Sequence, residues 1–289
     1  MSDTATQTAP LNIEVDGLVM GGRVAEPSGS PRGLVIALHG GTYDSGYYDQ
    51  GPDSLLALGS RLDYTVAAID RPGYGGSAVA DPGRLSFAAQ TASLAAAVDR
   101  LAAEYPGPVV LIGHSIGGMI ALQVAAATAT PLAGVEVSGL GELWQPGIRE
   151  MWASLIGDGA AVTLPTEGHA QVMLGPTATQ APDSIARDAD LLRPLPMPEL
   201  TDVVGWSDLL PAVAAAVAIP VSLTLAEHDN IWQSGTEAQA LLAGHFTAAP
   251  LVRVDRFAGA GHSIELHRGA RAYALYQLAF AAACISPVE

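Results

Sequence analysis

The chain has 289 residues, of which 49% are hydrophobic and only 15% are charged, and its formal net charge is −16. This composition excludes a disordered chain and is typical of a globular protein with a large buried core. All 13 basic residues are arginines, so the basic face that nucleic-acid binding requires is missing. We therefore expect neither nucleic-acid binding nor attachment to an anionic membrane.

The first half of the chain predicts strands that alternate with helices. Residues 1–10 predict a loose tail, which lacks the basic start and apolar centre of a signal peptide. The chain also has a single cysteine, and both features favour a cytoplasmic protein. Strands are predicted at Ile13–Val15, Leu18–Val24, Leu34–Leu38, Tyr64–Ile69, Val109–Ile112 and Leu132–Val137, and helices at Pro52–Leu62 and Leu85–Tyr105. This alternation predicts an α/β fold, with a parallel sheet and helices on both faces.

One stretch of this half carries a recognisable motif. Gly113-His114-Ser115-Ile116-Gly117 lies between the apolar strand Val109–Ile112 and a helix-compatible run from Met119 to Ala127. A strand, G-x-S-x-G and a helix in direct succession are the context of a nucleophile elbow, in which a serine occupies a strained turn with its hydroxyl exposed. In a chain with 32 glycines the pentapeptide alone is a weak signal, so the flanking elements and the partners of the serine decide its meaning.

The second half begins with a region where the alternation breaks. Residues 139–204 are rich in proline and predict only short helices, at Ile148–Ile156, Gly168–Leu174 and Ser184–Leu192. Because such a segment is too long for a loop, we interpret it as an insertion that covers one end of the sheet. Strands at Val221–Ala226 and Leu251–Phe257 and helices at Trp206–Ala218, Gly235–His245 and His267–Ile285 then resume the pattern. The predicted division is thus a core over 1–138 and 205–289 with an insertion over 139–204.

The loops after the last two strands carry the partners that a nucleophilic serine needs. Asp229 follows Val221–Ala226, and His262 follows Leu251–Phe257. Because parallel strands end at the same edge of a sheet, Ser115, Asp229 and His262 are expected to meet there. His262 would accept the serine proton as general base, and Asp229 would fix the imidazole tautomer. The backbone N–H of Ile116, with that of Gly41 or Thr42, would bind the oxyanion.

Five sequence motifs of this chain resemble those of the α/β-hydrolase superfamily. They are His39-Gly40-Gly41, Asp70 to Ser77 (DRPGYGGS), Gly113 to Gly118, Asp229 and Gly261-His262, in the order of the family. The resemblance implies a mostly parallel eight-stranded sheet and a helical lid between strands six and seven, over residues 139–204. It also implies a cofactor-free serine hydrolase of the esterase and lipase branch.

Several roles stay open at this point. Glu227 and Glu142 are rivals of Asp229 as the acid, because the acid-bearing turn departs from the usual family pattern and some relatives place their acid after strand six. His39 and His114 are expected to be structural, His228, His245 and His267 to lie at the surface or at helix ends, and His169 to be solvated more readily than to touch substrate. No metal or cofactor site is predicted, since neither a ligand spacing for metals nor a phosphate-binding loop is present.

The substrate is predicted only by class. Candidate pocket residues are Tyr43, Trp144, Trp152 and Trp232, which favour an apolar acyl or ring group. The leading hypothesis is hydrolysis of a small carboxylic ester, lactone or thioester through an acyl-enzyme, with coenzyme A thioesters disfavoured by the acidic chain. A carbon–carbon bond hydrolase or perhydrolase with the same residues, and a binding protein without turnover, are the alternatives. The sequence leaves the oligomeric state open.

Overall fold

A computed structural model describes residues 8–79 and 81–285, and its strands form one large sheet and one small one. The strands are β1 (Ala9–Val15), β2 (Leu18–Ala25), β3 (Gly33–Leu38), β4 (Tyr64–Ile69), β5 (Val109–His114), β6 (Leu132–Ser138), β7 (Ala161–Val162), β8 (Leu195–Pro196), β9 (Val221–Ala226) and β10 (Val252–Phe257). The large sheet has eight strands in the order β1-β2-β4-β3-β5-β6-β9-β10. Pairing is antiparallel for β1 with β2 and for β2 with β4, and parallel from β4 to β10.

The predicted sheet is thus confirmed, and so are the predicted helices around it. Within the described residues the α-helices are α1 (Leu55–Arg61), α2 (Phe87–Glu104), α3 (Ile116–Ala127), α4 (Ile148–Ala153), α5 (Thr166–Met173), α6 (Ser184–Leu191), α7 (Met197–Val204), α8 (Trp206–Ala216), α9 (Thr236–Gly244) and α10 (Ala270–Ile285). Serine side chains begin two of them: Ser54 accepts the Ala57 N–H at α1, and Ser86 accepts the Ala89 N–H at α2. Such caps satisfy N–H groups that have no partner within the helix.

Alternating side chains of the central strands divide the core into two layers. Leu34, Ile36 and Leu38 of β3 belong to a cluster that includes residues of α2, α3 and α8. Val35 and Ala37 of the same strand belong to a second cluster, with residues of α1 and α10. Because both faces are buried, the strand reads as a continuous apolar run, as expected for a parallel sheet covered on both sides.

Two expectations about the chain are corrected. The predicted tail over residues 1–10 is partly wrong, because β1 begins at Ala9; residues 1–7 of that prediction lie outside the described residues. The segment 139–204 was expected to contain only short helices, but β7 and β8 pair within it as an antiparallel ladder. It also contains α7, where Pro198 occupies the first turn and is tolerated because that position needs no helical N–H.

Candidate active site

The sharp turn between β5 and α3 places Ser115 at the carboxyl edge of the sheet. Ser115 has φ +52° and ψ −124°, a conformation that costs a residue with a side chain of order 1–3 kcal/mol. Its N–H donates to Ser138 O at 2.7 Å, which ties the turn to the end of β6. Two residues later, a Cβ on Gly117 would lie 2.2 Å from His39 O and from Leu38 O. Only glycine fits there, so the spacing of the motif follows from the approach of α3 to β3.

His262 lies 2.9 Å from this serine, measured from Nε2 to Ser115 Oγ. The loop that carries His262 is held by His267, whose Nε2 accepts the Gly261 N–H at 2.9 Å and whose Nδ1 lies 2.8 Å from Ser263 O. Burial lowers the pKa of His267. Of the expectation that His267 is a surface or helix-end residue, the surface part is wrong, because its buried ring supports the loop of His262. The residue does end a short 3-10 helix, Ile264–Leu266.

Asp229 lies on the other side of the imidazole. Its Oδ2 is 2.9 Å from His262 Nδ1, and its Oδ1 accepts the N–H of Ile231 at 2.8 Å and that of Trp232 at 3.2 Å. Both side chains of the Asp229–His262 pair are 1% exposed. Since the carboxylate can only accept, Nδ1 carries the proton, and Nε2 is free to accept a proton from Ser115.

The two rival carboxylates have other partners. Glu227 accepts the Gly259 N–H at 2.9 Å and pairs with Arg256 at 3.3 Å. Glu142 lies 2.8 Å from Nε2 of His245, which caps the end of α9. Among residues 8–79 and 81–285, the ring nitrogens of His262 hydrogen-bond to Ser115 and Asp229 only. The geometry therefore favours Asp229 as the acid.

Backbone N–H groups lie beside the serine on two elements. Ile116 is the first residue of α3, and the N–H groups of a first helical turn have no partner within the helix. Gly41 and Thr42 lie with Ser115 and Ile116 around one pocket. The Thr42 N–H is directed at Tyr74 Oη, 3.4 Å away, so Gly41 is the stronger candidate of the two for a second oxyanion donor.

The histidines expected to be structural are both buried and neutral. His39 Nε2 accepts the Arg71 N–H at 3.0 Å, so its Nδ1 donates to Gly40 O at 2.8 Å. Burial and then the charge of Arg71 hold the pKa of His39 well below its usual value. His114 stacks on Tyr47 with ring centroids 4.8 Å apart, and burial, followed by the charge of His262, lowers its pKa strongly. Neither residue lines the pocket in front of Ser115.

The pocket in front of Ser115 is apolar and encloses about 420 Å³, part of it open to solvent. Besides the serine and the backbone donors, its walls are Met119, Trp144, Trp152, Met173, Leu195, Val203, Ile231 and Trp232. Trp144 and Trp232 pair as an isolated antiparallel bridge, with ring centroids 4.0 Å apart. Five of these walls, Trp144, Trp152, Met173, Leu195 and Val203, come from segment 139–204, which therefore shapes the pocket.

One predicted pocket residue lies elsewhere. Tyr43 is 1% exposed and does not line the pocket. Its hydroxyl donates to Asp188 Oδ1 at 2.6 Å and lies 2.9 Å from Ser263 Oγ. The prediction of Tyr43 as a substrate-binding residue is thus corrected, because a polar cluster behind the pocket binds its hydroxyl. His169, expected to be solvated, is buried in the same cluster.

No group of three or more His, Cys, Asp or Glu side chains with the arrangement of a metal site occurs within residues 8–79 and 81–285. Over the same residues, every helix is too short or too polar to cross a membrane.

Comparison with known proteins agrees with the fold. The model of the Alpha/beta hydrolase family matches residues 35–274. The monoglyceride lipase of Rattus norvegicus is 33% identical over 130 residues, which are 45% of this chain and 42% of the rat protein. The chain thus spans less than half the length of the relatives it matches in sequence.

Solved structures extend the likeness to nearly the whole chain. A carboxyl esterase from Bacillus coagulans superposes with a TM-score of 0.73 at 20% identity, over 96% of this chain and 99% of that one. A monoglyceride lipase from Saccharomyces cerevisiae gives a TM-score of 0.75 at 16% identity, over 100% of this chain and 98% of that one. At these identities, the likeness shows a shared fold.

Proposed function

The chain belongs to the α/β-hydrolase family, and from that premise we propose that it hydrolyses small carboxylic esters with Ser115 as nucleophile. The observation that carries this proposal is the pair of 2.9 Å contacts that joins Ser115 Oγ to His262 Nε2 and His262 Nδ1 to Asp229 Oδ2. A serine hydroxyl is a weak nucleophile at neutral pH, and a base within hydrogen-bond reach activates it. The sequence similarity to a monoglyceride lipase supports an ester as the substrate.

The reaction follows from this geometry. Ser115 Oγ attacks the ester carbonyl while His262 Nε2 takes its proton, and Asp229 stabilises the imidazolium. The N–H groups of Ile116 and Gly41 bind the negative oxygen of the tetrahedral intermediate. His262 then gives the proton to the departing alkoxide, which leaves as the alcohol. A water molecule, deprotonated by His262, then attacks the acyl carbonyl, and His262 returns the proton to Ser115 Oγ as the carboxylic acid leaves.

The pocket limits the substrate. Its walls are tryptophan, methionine and aliphatic side chains, which favour an apolar acyl or alcohol group without charge. We propose that Trp144, Trp152 and Trp232 contact this group, and that segment 139–204 acts as a lid that sets its size. The division of the chain into a core over 1–138 and 205–289 with this insertion remains a prediction.

The test is a panel of monoacylglycerols and nitrophenyl esters with short, medium and long acyl chains. Wild type should turn over uncharged apolar esters, with a maximum at one chain length, and Ser115→Ala should lose this turnover. Leu195→Trp, which narrows the pocket, should move the maximum to shorter chains. Full turnover by Ser115→Ala, or tight binding of the esters by wild type without product, would contradict the proposal.

A further inference from the structure

A second hydroxyl–imidazole–carboxylate arrangement lies behind the pocket. Thr42 Oγ1 is 2.8 Å from His169 Nε2, and His169 Nδ1 is 2.8 Å from Asp188 Oδ2. The side chains of His169 and Asp188 are 0% exposed. His169 belongs to α5 and Asp188 to α6, so segment 139–204 supplies both, whereas Thr42 follows Gly41 in the core. Buried polar side chains are costly to leave unpaired, and here each has a partner.

The same cluster reaches the loop of His262. Asp188 Oδ1 accepts the Tyr43 hydroxyl at 2.6 Å, and that hydroxyl lies 2.9 Å from Ser263 Oγ. Ser263 directly follows His262 in the chain. A continuous set of hydrogen bonds therefore joins the loop of Gly41 and Thr42 to the loop of His262, and its two central side chains come from the insertion.

Thr42 needs this support because of its backbone. It is β-branched and has φ +66°, which is unfavourable for such a side chain and persists only where the surroundings impose it. The Thr42 side chain contacts His169, and the Thr42 backbone carbonyl accepts the N–H of Arg193 at 2.7 Å. Both of these partners lie in segment 139–204, so the insertion fixes the backbone next to Gly41.

We propose that His169 and Asp188 are positioning residues, which hold Thr42 so that the Gly41 N–H faces the oxygen that becomes negative during ester cleavage. This inference rests on the proposed function. Asp188 orients the His169 ring, the ring fixes the Thr42 side chain, and Thr42 sets the peptide that carries the oxyanion donor. Insertion and oxyanion loop therefore form one unit.

The expected effect is on the transition state rather than on binding. Because the hydrogen bonds to an oxyanion strengthen as charge develops, misplacing one donor lowers kcat and leaves substrate binding nearly intact. We expect Asp188→Asn and His169→Phe to lower kcat about 10- to 100-fold, with KM within about threefold of wild type. The affinity for phenylboronic acid, which forms a tetrahedral adduct on an active serine, should fall by the same factor as kcat/KM.

Matched variants separate positioning from folding. Asp190→Asn removes an exposed carboxylate from the same helix and should leave kcat, KM and boronic acid affinity at wild-type values. Thr42→Val keeps the shape of the side chain but removes its hydroxyl, whereas Thr42→Ser keeps the hydroxyl. Thr42→Val should therefore lose more kcat than Thr42→Ser, a comparison that holds even if a substitution at His169 or Asp188 prevents folding.

Two results would overturn the inference while the proposed function stands. The first is that wild type hydrolyses esters and that Asp188→Asn and His169→Phe have the same kcat and boronic acid affinity as wild type. The other is a loss confined to KM, with boronic acid affinity unchanged. A wild type without ester turnover would instead refute the proposed function, and the positioning role with it.

Discussion

Glu199 of α7 pairs with Arg71, which follows β4, and both side chains are 0% exposed. Arg71 also donates from Nε to His39 O at 2.8 Å and from Nη2 to Gly40 O at 3.0 Å. The guanidinium thus binds the carbonyls that precede Gly41 on one side and a carboxylate of segment 139–204 on the other. This pair is a second buried link, distinct from His169 and Asp188, between segment 139–204 and the loop of Gly41 and Thr42.

The stability of the protein should depend strongly on this pair. Glu199→Gln leaves Arg71 buried without its countercharge, and breaking a buried pair from one side costs about 3–5 kcal/mol. We expect the Tm to fall by about 10 °C. Glu150→Gln, at an exposed position of α4, is the control and should leave the Tm unchanged. Equal melting temperatures for Glu199→Gln and wild type would show that the pair adds nothing.

Asp229 can be distinguished from the two rival carboxylates by kinetics. Asp229→Asn keeps the shape of the side chain but favours the wrong tautomer of His262, so kcat should fall about 10³- to 10⁴-fold. Glu227→Gln and Glu142→Gln should each retain kcat within about threefold, because these side chains bind Gly259, Arg256 and His245 instead. A larger loss in either of the last two variants than in Asp229→Asn would reassign the acid.

Stability should also depend on pH through a buried carboxyl in the core. Burial raises the pKa of Glu136 from 4.5 to about 7, although Tyr273, Gln277 and Thr224 donate hydrogen bonds to it. Glu265, whose charge would oppose that of Glu136, has a pKa raised by burial from 4.5 to about 8. Between pH 4.5 and these values the folded protein binds more protons than the unfolded chain, so the free energy of unfolding falls as pH rises.

Glu136→Gln removes one of these titrations and provides the test. From about pH 5 to about pH 8, the free energy of unfolding of the variant should gain roughly 3 kcal/mol relative to wild type, since one pKa unit is worth about 1.36 kcal/mol. Urea unfolding at both pH values measures this. Glu237→Gln, exposed on α9, should show no such change. If the free energies of unfolding of Glu136→Gln and wild type differ by the same amount at both pH values, the raised pKa of Glu136 is contradicted.

Gly117, which lies against the backbone of Leu38 and His39, should tolerate no side chain. An alanine Cβ at Gly117 would overlap backbone oxygens that cannot move aside, so we expect Gly117→Ala to lose about 3 kcal/mol or more of stability. Gly244→Ala, at the end of α9 with no atom within 4 Å of the added Cβ, should change stability by at most about 0.5 kcal/mol. Similar unfolding midpoints for the two variants in urea would disprove the close approach.

The strands and the candidate triad could be predicted from the sequence because they depend on local patterns. Buried parallel strands are uninterrupted apolar runs, and the loops that follow them must open on one edge. Ser115, His262 and Asp229 each follow such a strand, and their positions in the sequence therefore predict that their side chains lie close together. Their mutual distances of 2.9 Å agree with that expectation.

Segment 139–204 could be predicted only in outline, since its contacts are long-range. The Tyr43 hydroxyl contacts Asp188, which is 145 residues away in the sequence, and Ser263, which is 220 residues away. The local periodicity of hydrophobic residues carries no information on such distant pairs. From sequence, an aromatic residue near the active site is therefore predicted as a pocket wall, whereas in the structure the Tyr43 hydroxyl belongs to the cluster around His169. Helix α7 was missed for a local reason, because the prolines from Pro194 to Pro198 read as breakers although the last of them lies in a first helical turn.

The central claim is that Ser115 is a nucleophile activated by His262, and intact-mass labelling with a small fluorophosphonate tests it most directly. Wild type should gain the mass of one adduct, located at Ser115 by peptide mapping. Ser115→Ala should gain none, and His262→Ala should react far more slowly, while a cooperative thermal transition shows that both variants are folded. A wild type that stays unlabelled beside a labelled control esterase, or a Ser115→Ala variant labelled as fast as wild type, would contradict the claim.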